Sequence, residues 1–132
     1  MKTLLVTVER GSDGFTLYTS NEIFSGVGDT LDAARKDMEQ QIALYVEVMR
    51  EDGKPYPAYL DGGYEIKYKF EVSSLLEFYE GVLGLTALEK LTGVGKAQLW
   101  KYRRGTKPRK AQIEKIEKGL HRLGAELCAV SL

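Results

Sequence analysis

"LTALEKLTGVGKAQLWKYRRGTKPRK", residues 85–110, decides how the second half of the chain folds. Leu85, Leu88 and Leu91 recur at helical spacing and define one inward face. Gly93 interrupts the pattern, and "GKAQLWKYRRG" resumes it. Two short helices joined by a glycine turn make a helix-turn-helix. The spacing assigns the parts. Leu88 is the buried anchor and Gly93 the turn; Val94, Leu99 and Tyr102 seat the second helix. Gly95, Lys96, Ala97, Trp100 and Lys101 then fall on the outward face. Glu89 stands four before the turn glycine, where a small residue is usual. Either this helix is shifted outward or Glu89 lies at its rim.

The same stretch gathers charge. From Lys96 to Lys110 there are seven basic residues and no acid, although the whole chain has 19 of each. Residues 1–85 carry 8 basic and 15 acidic residues, and residues 86–132 carry 11 and 4. Opposite charge in the two halves points to two modules with different partners. For the basic half the commonest polyanion is nucleic acid, and with the helix-turn-helix spacing double-stranded DNA is the expected partner. Lys96 and Lys101 reach phosphates or guanine edges, and Gln98 is suited to adenine. Small residues at Gly95 and Ala97 allow close approach to a groove. Arg103, Arg104, Lys107 and Arg109 follow where such a motif meets the flanking backbone. Trp100 is either a wedge against sugar or thymine methyl, or packing for the next helix. The bland alternative is a solvated basic face.

Upstream the periodicity is that of strands. "TLLVTVERG" and "FTLYTS" alternate around the turn signal "SDG", predicting a hairpin. "NEIFSGVGDT" predicts a short third strand interrupted by Gly26 and Gly28, with Asp29 or Thr30 capping a helix. Leu31, Ala34, Met38, Ile42, Tyr45 and Met49 form the apolar stripe of that helix, which stops at "EDGKPYP". "YEIKYKFE" alternates again as a last strand, its apolar face set against the helix. The prediction is an α+β fold: a β-β-β-α-β domain over 1–71, then a helical domain over 72–132. Within the latter, Ser74 and Glu77 read as a capping box. Ile113, Ile116, Leu120 and Leu123 read as a helix stripe, and "AELCAVSL" as a terminal strand.

"GVGDTLDAARKDMEQQIALYVEVMREDGKPYP", residues 26–57, resembles the central segment of HicB antitoxins: a strand ending in Gly, a Gly-Asp-Thr helix start, an amphipathic helix and a Gly/Pro exit. The approach to it, "SNEIFSGVG", lacks the family's usual Pro-Gly pair. The resemblance implies a small, partial RNase H-like N-terminal domain that binds a HicA-like toxin. It also implies a helix-turn-helix tail that represses its own operon. A stand-alone transcriptional regulator, or a protein or RNA interaction module without a toxin, is the alternative. Two-fold operators predict a homodimer or higher homo-oligomer, and "ELCAVSL" offers a strand for pairing.

Other chemistry is weakly represented. One Cys and one His make no zinc site within one chain. Cys128 is expected to be packed and His121 to lie on the surface. "GVGDT" lacks the Lys-Ser/Thr of a phosphate loop. Glu9, Glu65 and Glu71 lie on polar strand faces, with Lys67 and Lys69 between the last two, which argues against a metal nuclease. No catalytic residue, metal or cofactor is expected. No apolar run reaches the ~20 residues of a membrane span. The N-terminus reads as a strand and not a signal peptide, and a reducing, cytoplasmic location fits a single cysteine.

Overall fold

The computed structural model describes residues 1–21 and 23–132. Glu22, within the stretch read as the third strand, lies outside them. The chain divides into two compact units, Met1–Phe70 and Glu71–Leu132. The architecture is α+β, with one four-stranded mixed sheet.

In the first unit, strands β1 (Lys2–Gly11) and β2 (Gly14–Thr19) form an antiparallel hairpin in which Gly11 faces Gly14 across the Ser12-Asp13 turn. Strand β3 (Ser25–Gly28) adds antiparallel to β2, and β4 (Tyr64–Lys69) adds parallel to β1, giving the order β3-β2-β1-β4. Helix α1 (Leu31–Glu51) links β3 to β4 and lies across β3 and β2. The Thr30 hydroxyl accepts the Ala33 N–H at 3.0 Å and starts it. Alternation puts Val6, Val8, Phe15 and Leu17 on the face that meets Ala34, Met38, Ile42 and Val46, and all eight are buried.

The two glycines of "GVG" have a packing reason. A Cβ at Gly26 would run into the Ala34 carbonyl and the Met38 backbone; one at Gly28 would lie 2.6 Å from the Ala34 nitrogen. They let α1 sit directly on an edge strand. The Asp37 carboxylate accepts the outward N–H of Val27 at 2.9 Å, occupying that edge. At the far end, Arg50 donates to the Tyr56 hydroxyl at 2.8 Å and to Asp61 at 2.5 Å, and Tyr56 donates to Asp61 at 2.8 Å. This network ties down the Gly/Pro exit. The Tyr56 hydroxyl, with Arg50, holds the Asp61 carboxyl below its usual range. The Tyr64 hydroxyl is pushed up by burial and by Glu39 of α1.

The second unit is helical throughout: α2 (Val72–Phe78), α3 (Leu85–Thr92), α4 (Lys96–Arg103) and α5 (Lys110–Cys128). Leu76, Leu88, Val94, Leu99, Tyr102 and Ile116 form its core, with Val72, Leu83, Leu85 and Leu120 packed around it. Three expectations are corrected here. The expected terminal strand "AELCAVSL" is instead the last turns of α5 through Cys128, because a helix already propagating adds a hydrogen bond per residue at little cost. The Ser74–Glu77 capping box does not form, because Val72 and Leu76 both reach the core and the helix begins at Val72, leaving Ser74 inside it. Cys128 is exposed, not packed, since α5 carries it past the residues that cover Ile116.

Candidate nucleic-acid interface

The predicted turn is built from four side-chain and backbone contacts. Gly93 ends α3 in the left-handed region, with φ 75°, where a side chain is unfavourable, and its N–H returns to the Glu89 carbonyl at 2.9 Å. The Thr92 hydroxyl donates to the Leu88 carbonyl at 2.7 Å and accepts the Val94 N–H at 3.1 Å. Arg122 of α5 donates to the Leu91 carbonyl at 2.9 Å, satisfying another open group at the end of α3. Val94, Leu99 and Tyr102 are buried against Leu88, the seat that the spacing predicts.

Glu89 resolves its own anomaly. Gly95 is the N-cap of α4 and has no side chain with which to cap it. Glu89 supplies the acceptor: its Oε2 takes the Lys96 N–H at 2.6 Å. The carboxylate also opposes the positive end of the α4 dipole. An acid six residues before the N-cap, in place of a small residue, is the signal that the sequence carries. The partner of that acid is not visible there.

Eight of the ten predicted contact residues are exposed: Gly95, Lys96, Ala97, Trp100, Lys101, Arg104, Lys107 and Arg109. They share α4 and the loop behind it. Gln98 and Arg103 are half-buried. Arg103 donates to Glu80 at 3.2 Å, so one of its neighbours is a carboxylate within the unit. Trp100 remains 45% exposed, so it is not consumed by the core, and the Arg104 guanidinium lies 4.8 Å from its ring centroid. That pair presents a flat cationic platform next to Lys101. Past α4, Gly105 has φ 114° and turns the chain, and Thr106 N–H closes on the Lys101 carbonyl at 3.0 Å. Lys107 and Arg109 extend from this loop before α5 begins.

Among the described residues, no group of three or more His, Cys, Asp or Glu side chains is arranged to hold a metal ion, and no helix is long and apolar enough to cross a membrane. Compared with known protein families, with curated proteins and with solved structures, the chain matches none.

Proposed function

We propose that this chain is a DNA-binding regulator of the HicB-antitoxin kind. In this reading the helical unit binds double-stranded operator DNA and represses transcription, and the α+β unit neutralises a HicA-like toxin in the cytoplasm. The observation that carries the DNA half is the α3–Gly93–α4 turn, whose seat is buried and whose outer face is basic from Lys96 to Arg109. A sequence-independent phosphate backbone is the natural complement of such a face. The toxin half is supported by the resemblance of residues 26–57 and by charge. Residues 1–70 carry 12 acidic and 8 basic residues, and an RNA-cleaving toxin is basic. A dyad operator calls for two copies of the helix-turn-helix, so a homo-oligomer belongs to the same proposal. The reading has no catalytic step and no cofactor.

The test is fluorescence anisotropy of the full chain on its own promoter duplex and on a scrambled duplex, over a salt series. Preference for the promoter, with log affinity falling linearly against log salt, is the expected result. Equal, salt-insensitive affinity for both would exclude operator binding.

A further inference from the structure

One side chain at the proposed interface has the wrong sign for it. From Glu89 to Lys110 it is the only acid, and it is exposed. It is also held in place. Oε2 is tied to the Lys96 N–H at 2.6 Å, while Oε1 has no hydrogen-bond partner among the described residues. The carboxylate therefore sits at the first turn of α4 with one oxygen free. Glu89, Gly95 and Ala97 are all exposed.

The chemistry of the free oxygen is one-sided. A carboxylate at neutral pH only accepts. In the major groove cytosine presents its N4 amine, guanine presents the acceptors N7 and O6, and thymine the acceptor O4. Adenine offers an amine beside an acceptor, a poorer match for one oxygen. In a helix-turn-helix the first residues of the second helix are those that meet base edges. Glu89 is fastened to that same turn. Its cost is repulsion from every phosphate nearby, which is independent of sequence. A residue that weakens all complexes and relieves the penalty at one base acts as a discriminator.

Resting on the DNA-binding reading, we infer that Glu89 is a specificity determinant. Its carboxylate selects cytosine at the base pair facing the first turn of α4 and rejects guanine there. The residue thus serves twice, capping the helix with one oxygen and reading a base with the other.

The experiment uses the full chain and a randomised duplex pool, followed by anisotropy on the best duplex and on its three substitutions at each position. The variant is Glu89→Gln. Its amide oxygen keeps the acceptor for Lys96 N–H, and its NH2 turns an acceptor-only group into a donor. Wild type is expected to prefer cytosine over guanine at one position by about tenfold, the scale of one good base contact. Glu89→Gln is expected to invert that preference toward guanine. It is also expected to bind duplexes without that cytosine more tightly and to steepen the salt slope by up to about one unit. Glu89→Asp keeps the charge but is one methylene shorter. It is expected to keep the salt slope and lose the cytosine preference, and it decides the matter if the Gln variant does not fold. Unchanged base preference in a folded variant would overturn the inference, leaving Glu89 as a cap alone. If wild type binds no duplex, the DNA-binding reading itself falls, and this inference with it.

Discussion

Two glycines of α5 have opposite consequences. A Cβ at Gly119 would lie 2.8 Å from the Leu91 carbonyl oxygen and 2.9 Å from the Thr92 methyl. At Gly124 it would meet nothing within 4 Å. Alanine is favoured over glycine by about 1 kcal/mol inside a helix. Gly124→Ala should therefore stabilise the helical unit by up to about that amount. Gly119→Ala gains the same propensity but wedges α5 off α3, and overpacking of this kind costs about 1–3 kcal/mol. It should be the less stable of the two variants. Urea titration followed by circular dichroism compares them; equal midpoints would mean that α5 does not pack on α3 through Gly119. Thr92 makes the same point about hydrogen bonds. Thr92→Val preserves shape but strands the buried Val94 N–H, so a loss of about 1–3 kcal/mol is expected by the same titration.

At the scale of the element, α4 and the loop behind it separate into charges that face outward and one that is paired with a carboxylate of the unit. Lys101 and Arg104 are exposed, and Arg104 rests on the Trp100 ring. Arg103 is half-buried against Glu80. Under the DNA-binding reading, replacing Lys101 and Arg104 together by Ala should flatten the slope of log affinity against log salt by nearly one unit per phosphate lost, about two in all. Arg103→Ala should flatten it less than either single replacement and should instead lower stability modestly, since it removes a half-buried side chain. The expected order is checked by anisotropy across a salt series, with melting curves for each variant. A steeper loss for Arg103 than for Lys101 would reverse the assignment. Neither Lys101 nor Arg104 belongs to the seat of Leu88, Val94, Leu99 and Tyr102, so the double variant should fold.

At the scale of the whole molecule, each unit has its own core and its own charge. Residues 71–132 carry 11 basic and 7 acidic residues. Expressed alone, they should fold and, under the DNA-binding reading, show salt-dependent binding to duplex DNA. Residues 1–70 alone should bind the cognate toxin under the antitoxin reading; a folded fragment that binds only as part of the full chain would break this division of labour. Under the homo-oligomer reading, the exposed apolar end of α5 is where two copies would pair. Ile113, Ile116, Leu120, Leu123 and Leu127 of α5 are spaced 3, 4, 3 and 4, a heptad pattern, and Val130 follows just past the helix. Ile116 is buried in its own unit, whereas Leu127 and Val130 are 61% and 60% exposed. Glu126 is the only charge from Leu123 to Leu132. Under the homo-oligomer reading a second copy would cover this end helix on helix, since "ELCAVSL" forms no strand. Leu127→Lys should convert a dimer to a monomer in light scattering at micromolar concentration without unfolding the unit. Dimers that persist would put the contact elsewhere.

Patterns carried by near neighbours along the chain are legible in the sequence. The alternation of β1, β2 and β4, the Thr30 cap, the α1 stripe from Ala34 to Ile42 and the Leu88–Val94–Leu99–Tyr102 seat all follow from a period of two or 3.6 and from turn chemistry, whereas the buried place of Val46, flanked by half-buried Tyr45 and Met49, does not. The separation of charge between the halves is legible too, since it needs only counting. Contacts between residues far apart, or between residues of the same type, are settled by tertiary packing instead. Ser74 has the spacing of a cap, but the packing of Val72 and Leu76 starts the helix earlier. Leu99 and Leu127 are equally apolar, yet one is buried and the other 61% exposed, because only one meets other helices. Glu89 reads as a misfit because its partner, the Lys96 N–H, is an open end that exists only after the turn has formed. Local propensity specifies which elements form. Which open hydrogen-bonding group meets which side chain depends on packing, and so on the fold as a whole.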